Sequence, residues 1–150
     1  MKAIQWIIAA ATLACAQPVQ AAVGDPEAII YRVSGVVDDN NVLATSFHCT
    51  NFSGVTETVR VVVRSSNTTL RANIALPVPH LNTIIFSTHH VTVYGDIPLA
   101  TDIMNGGTAA IAATSPNITC TAMQIQTNST IPVGIALHMT RFNPIPATQE

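Results

Sequence analysis

An all-β fold, a single antiparallel β-sandwich stapled by one disulfide, is what this 150-residue sequence predicts. Three observations predict it. Apolar and polar residues alternate with period 2 in short runs, the mark of half-buried strands. Turn-forming residues separate those runs at roughly 8- to 14-residue intervals, the spacing of sandwich folds. Two cysteines, Cys49 and Cys120, each sit inside such a run. The only competing helical pattern, "IPLATDIMNGGTAAIAAT" from Ile97 to Thr114, is interrupted by two adjacent glycines. An immunoglobulin-like topology is compatible with the strand number. The buried tryptophan of antibody domains has no counterpart, because Trp6 belongs to the leader.

The N-terminal stretch "MKAIQWIIAAATLACAQPVQAAVGDP" reads as an export leader. Lys2 gives it a positive start, an apolar run follows from Ala3 to Ala16, and Pro18 and Val19-Gln20-Ala21 form a small-residue cleavage region. The apolar run is shorter than the ~20 residues that cross a bilayer. A signal peptide over 1–21 is expected, cut after Ala21 or Ala22, with the β-domain over 22–143 and an extended tail over 144–150. Lipid attachment at Cys15 is the rival reading. Thr12 stands where such signals carry leucine. Removing the leader takes Cys15 with it and leaves Cys49 and Cys120 as a pair in an oxidising compartment, where a structural disulfide forms. Each cysteine shares the inward face of its run, so the two should meet across the core. The ~70-residue loop they close contributes on the order of 4 kcal/mol in the chain-entropy model.

Element by element, Ile29 to Val37 is the first strand, followed by a turn at Asp38-Asp39-Asn40-Asn41. Leu43 to Thr50 is the second, with Phe47 and Cys49 inward and Ser46, His48 and Thr50 outward. "ETVRVVVRS" alternates Val59, Val61 and Val63 against Arg60 and Arg64. "TLRANIAL" is a weaker strand, stopped by Pro77 and Pro79. "NTIIFSTHHVTVYG" holds one long strand or two short ones. Asn105-Gly106-Gly107 is a tight-turn signal before "TAAIAA". "NITCTAMQIQ" and "IPVGIALHMTRF" complete eight or nine strands.

Charge narrows the function. Beyond Lys2 there are five arginines against eight acidic residues, a net charge of about −3. Nothing in the linear sequence favours nucleic acid or anionic lipid. Nor does any pattern supply an enzyme. Ser34-Gly35 and Ser53-Gly54 lack a nucleophile elbow. Asp96 and Asp102 lack the aromatic cleft usual around a glycosidase's paired carboxylates, and the same scarcity of aromatics argues against a stacking sugar-binding module. No cofactor is expected. No metal is expected either: His89 and His90 are adjacent and would point to opposite faces of a strand, and Cys120 lacks a nearby histidine for a copper site. The Asp38–Asn41 run could offer oxygens to calcium, but a turn explains it more simply. Asn51, Asn67, Asn117 and Asn128 are N-x-[S/T] sequons.

Three stretches, "FHCTN" at 47–51, "GTAAIAATSPNITCTA" at 107–122 and "HMTRFNPIPATQE" at 138–150, carry a resemblance. The chain resembles a loose group of small exported bacterial proteins that pair a "CTN" strand with a later "CTA" strand and end near "RFNP". The resemblance implies export, a bacterial source and the Cys49–Cys120 bridge, and it implies no activity. In the last stretch Arg141 and Phe142 are the candidate partner-facing edge. The plainer reading has Phe142 pin the strand end to the core while Arg141 pairs with a carboxylate. The expected function is non-enzymatic: a periplasmic or cell-surface β-sandwich acting by binding or structural association, with a protein partner or self-association. One alternative is a subunit of a fimbria-like filament assembled by strand donation, with Ile29 to Val37 as donor. The other is a periplasmic metal-binding protein.

Overall fold

The computed structural model describes residues 26–39, 42–129, 131 and 133–142. The expected leader and tail lie outside these residues. Ten strands occur among them: β1 (Ala28–Ser34), β2 (Leu43–Asn51), β3 (Glu57–Ser65), β4 (Leu70–Val78), β5 (Thr83–Ser87), β6 (Ile97–Pro98), β7 (Gly107–Ala113), β8 (Ile118–Gln126), β9 (Gly134–Ala136) and β10 (Met139–Arg141). They form two five-stranded sheets. Sheet A has the order β10-β1-β7-β3-β4 and sheet B the order β6-β5-β2-β8-β9. Every pairing is antiparallel except β5 with β6. Among the described residues no helix is long and apolar enough to cross a membrane.

Alternation does what the sequence implies. Val59, Val61 and Val63 of β3 are fully buried, and they join Ile111 of β7, Ile30 of β1, Phe47 of β2, Phe86 of β5 and Ile118 of β8 in one apolar cluster fed by both sheets. Burial of this kind is the main favourable term in folding. A register shift in β1 between Ile29 and Tyr31 turns two consecutive side chains, Ile30 and Tyr31, inward. Gly107 opens β7 where the backbone of β3 presses close. A Cβ there would collide with the Arg64 carbonyl oxygen and stand 2.8 Å from the Met104 sulfur, so only glycine fits.

The disulfide joins Cys49 to Cys120, but it does not cross the core. β2 and β8 pair along nine residues, and Cys49 is the direct partner of Cys120 in that register, with Cα atoms 4.1 Å apart. Side chains approach most closely at the non-hydrogen-bonded sites of an antiparallel ladder, where Cα atoms are about 4.5 Å apart. The bridge therefore staples two neighbours in sheet B. Inward direction alone could not reveal that the two strands are adjacent.

Four further expectations change. β4 continues through Pro77 to Val78, because β4 is an edge strand and one of its sides needs no N–H. The run 82–95 gives only β5. From Thr88 to Asp96 the chain leaves the sheet because its polar groups find partners elsewhere: Thr88 donates to the Val37 carbonyl, and Asp96 accepts from the Val91 amide. The run 131–142 splits between the sheets. Leu137 still donates to the Ala122 carbonyl beside β8, and two residues later Met139 pairs with Val33 of β1. Asp38, expected in the turn, is buried and accepts a hydrogen bond from the Thr101 hydroxyl at 2.8 Å. Asp39 forms the turn itself, one carboxylate oxygen accepting from the amides of Val42 and Leu43. Asn40 and Asn41 lie outside the described residues.

Candidate functional site

The outward face of sheet B concentrates polar side chains beneath the 88–96 loop. Ser87 donates to the Ser46 hydroxyl at 3.0 Å, and Ser46 stands 3.2 Å from Nε2 of His48. The Tyr94 ring meets the His48 ring edge-on, with centroids 4.8 Å apart, and its hydroxyl reaches the Met123 sulfur. Asp96, its side chain fully buried, holds His90 at 2.7 Å and the Val91 amide at 3.0 Å. Val91 anchors the loop on Ala44 and Ile125, with Val93, Tyr94 and Met123 around them. Burial pushes the His48 imidazole below its ordinary value, and the Asp96 charge partly offsets this.

A serine beside a histidine invites comparison with a hydrolase, but the geometry closes that route. Ser46 and Ser87 have no exposed surface, and the Asp96 carboxylate is spent on His90 and a backbone amide. A nucleophile must be reachable by its substrate. The cluster instead locks the loop to the sheet. His48 therefore does not lie on an open solvent face, as its position in β2 suggests.

A trough lined by polar side chains lies on the other sheet, on the face of sheet A turned away from the core. Register places Arg32 of β1 and Val62 of β3 on either side of Ala110 in β7, with Ser34 and Arg64 flanking Thr108 one step along. The outward side chains of β7 are small, so the strand forms the floor of a trough between two taller arginines. The β1 and β3 backbones are two strand spacings apart, about 10 Å. The trough encloses roughly 250 Å³, and His138 and Thr140 also line it. None of the described residues lining it is acidic. Arg32 stacks over the Phe142 ring, 5.8 Å from its centroid. Arg64 gives one of its five N–H donors to the Thr68 carbonyl. One strand step away Arg60 is neutralised by Glu27 and also donates to Asn73.

The predicted edge residues have different partners from those expected. Arg141 donates to the Tyr31 hydroxyl at 2.8 Å and to the Pro116 carbonyl at 2.6 Å, and it stacks on the Tyr31 ring; among the described residues no carboxylate is its partner. Phe142 is 41% exposed and supports Arg32 instead of pinning the strand to the core. Asn51, a sequon residue, is fully buried and donates to the carbonyls of Val55 and Val78, so its amide belongs to the fold. His89 and His90 lie in the loop, while His48 lies in β2 of sheet B and His138 in the link before β10, where it lines the sheet A trough. Among the described residues no three His, Cys, Asp or Glu side chains stand close enough together to hold a metal ion.

Arg32, Arg64 and His138 were not singled out together by the sequence. Arg60 and Arg64 are legible as one face of β3, but the insertion of β7 between β1 and β3 is a tertiary fact. Comparison with known proteins yields no match to a protein-family model, a curated protein or a solved structure.

Proposed function

We propose that this chain is an exported, non-enzymatic β-sandwich that acts by binding, with the outward face of sheet A as its contact surface. One observation carries the reading: the serine and carboxylate side chains are buried and hydrogen-bonded within the chain, while the outward face of sheet A carries a trough lined by polar side chains. Ser46, Ser87, Asp38, Glu57 and Asp96 all hold their hydrogen-bond partners within the chain. The shared apolar cluster supports a single sandwich, and the disulfide is compatible with a compartment outside the cytoplasm. The strand-donation alternative would have to withdraw β1 from between β10 and β7, where it is paired on both sides.

Cell fractionation and light scattering test the reading. Expressed from its full sequence, the protein should accumulate outside the cytoplasm and run as a monomer whose mass does not grow with concentration. Retention in the cytoplasm contradicts export. Concentration-dependent polymers would replace the binding module with the filament subunit.

A further inference from the structure

We propose that a second cavity, between the β3–β4 turn and the 103–106 loop, binds a small carboxylate carrying a short apolar group, with Arg71 as its anchor. It shares no lining residue with the sheet A trough and goes beyond the binding reading above. Ser66, Asn67 and Arg71 from one segment and Ile103 and Met104 from the other line about 370 Å³, within the ~300–1,000 Å³ of ligand sites. The Ser66 amide donates to the Gly106 carbonyl at 3.0 Å and ties the two walls together. A β-bulge brings Arg71 here. The β3–β4 register runs Val63 to Ala72 and then Arg64 to Leu70, so no residue stands opposite Arg71 in the ladder. A bulge of this kind re-aims the extra side chain. Regular alternation would set Arg71 on the outward face with Asn73, which bonds Arg60; it lines a cavity with Met104 of the core instead.

Nε of Arg71 is what points to a ligand. It is shut off from solvent and has no hydrogen-bond partner among the described residues. Arg60, Arg64 and Arg141, by contrast, each donate to an acceptor of the chain. A buried donor without an acceptor is costly, the more so on a charged group. A carboxylate supplies what is missing, because Nε and the neighbouring Nη form two parallel donors that match its two oxygens. The described residues lining the cavity include no acidic one; Asp102, next to Ile103 in sequence, is not among them. The Asn67 side-chain oxygen already accepts from Ser65 Oγ and from the Thr69 amide, so its NH2 donors are what remain for a ligand. One guanidinium among neutral side chains balances one negative charge, which favours a carboxylate over a doubly charged phosphate or sulfate. Ile103, 60% exposed, offers the apolar wall for a short alkyl group. Both walls are held in shape by unusual backbone. Thr68, Ala100 and Asp102, three of the four described non-glycine residues with left-handed φ, lie in the two segments that flank the cavity.

Nuclear magnetic resonance titration of the full purified protein tests this, read at the Arg71 Nε–H and at the amides of Ser66, Arg71 and Asn105. Sodium butyrate, sodium acetate and sodium phosphate are added separately at constant ionic strength, with sodium chloride as the reference. Saturable shifts are expected with butyrate, and weaker binding with acetate and phosphate. R71Q and R71K should each weaken butyrate binding by about tenfold or more, equivalent to roughly 1.4 kcal/mol, since lysine keeps the charge and loses the paired donors. R60Q, which removes a guanidinium already held by Glu27, should leave it unchanged. Ile103→Ser should abolish the preference for butyrate over acetate. Should R71Q lose its dispersed spectrum, R71K decides. Without a saturable shift from either carboxylate the proposal falls, and water is left as the acceptor for Nε. It falls equally if R71K binds like wild type, if R60Q binds as weakly as R71Q, or if acetate or phosphate matches butyrate. Failure here leaves the reading of the sheet A face to fractionation and light scattering.

Discussion

Thr114 shows how much a single hydroxyl carries at the residue scale. It donates to Glu57 Oε2 and accepts from the Thr58 amide at 3.0 Å, while Glu57 itself is fully buried and its other oxygen has no hydrogen-bond partner among the described residues. Thr114→Val keeps the shape and leaves both groups unsatisfied. Each such group costs about 1–3 kcal/mol, so the urea midpoint should fall by an amount equivalent to at least ~2 kcal/mol with an unchanged slope. An unchanged midpoint would mean that the hydroxyl contributes nothing. His48 gives a pH signature. Its burial favours the neutral ring, so as pH falls the unfolded chain takes up the proton first. The stability it contributes is complete above the ordinary histidine value of 6.5 and is lost as pH drops from there through the lower folded value. Comparing His48→Gln with wild type between neutral and mildly acidic pH should show the two stabilities converging; a constant difference would assign His48 no proton linkage. Half of this was legible beforehand. Glu57 alternates with Val59 and so belongs to the inward row, but its partner, 57 residues away, could not be read from period 2.

Strands with strong alternation were legible at the scale of elements, and those shaped by tertiary partners were not. β2, β3 and β8 fall where apolar residues recur every second position. The 88–96 loop contains the strand-like residues Val91, Val93 and Tyr94, yet it detaches because one carboxylate, Asp96, gathers a ring and an amide of the loop onto itself. Asp96→Ala should release it. Hydrogen exchange at Val91 should then accelerate about tenfold or more, a local opening cheaper by at least ~1.4 kcal/mol, while β2 and β8 amides stay protected. Unaltered protection at Val91 would show that apolar packing alone holds the loop. The trough was illegible for a related reason. Its arginines come from strands far apart in sequence, and only the order β1-β7-β3 brings them to one cavity.

The whole molecule divides its labour between the two sheets. Sheet B carries the disulfide and an outward face partly covered by the 88–96 loop, whereas sheet A carries the trough on its outward face. The staple closes a separation of 71 residues, worth about 4 kcal/mol as restricted unfolded-chain entropy. Because β2 and β8 also share a nine-residue ladder, the double variant Cys49→Ala/Cys120→Ala should keep its β-rich circular dichroism at low temperature and unfold at a markedly lower denaturant concentration. A variant as stable as wild type would contradict that role. The most direct measurement of the account's central claim, an all-β body stapled between two neighbouring strands, is peptide mapping of the unreduced, alkylated protein by mass spectrometry. One linked pair of peptides containing Cys49 and Cys120 is predicted; alkylation of both thiols in the folded protein would contradict it.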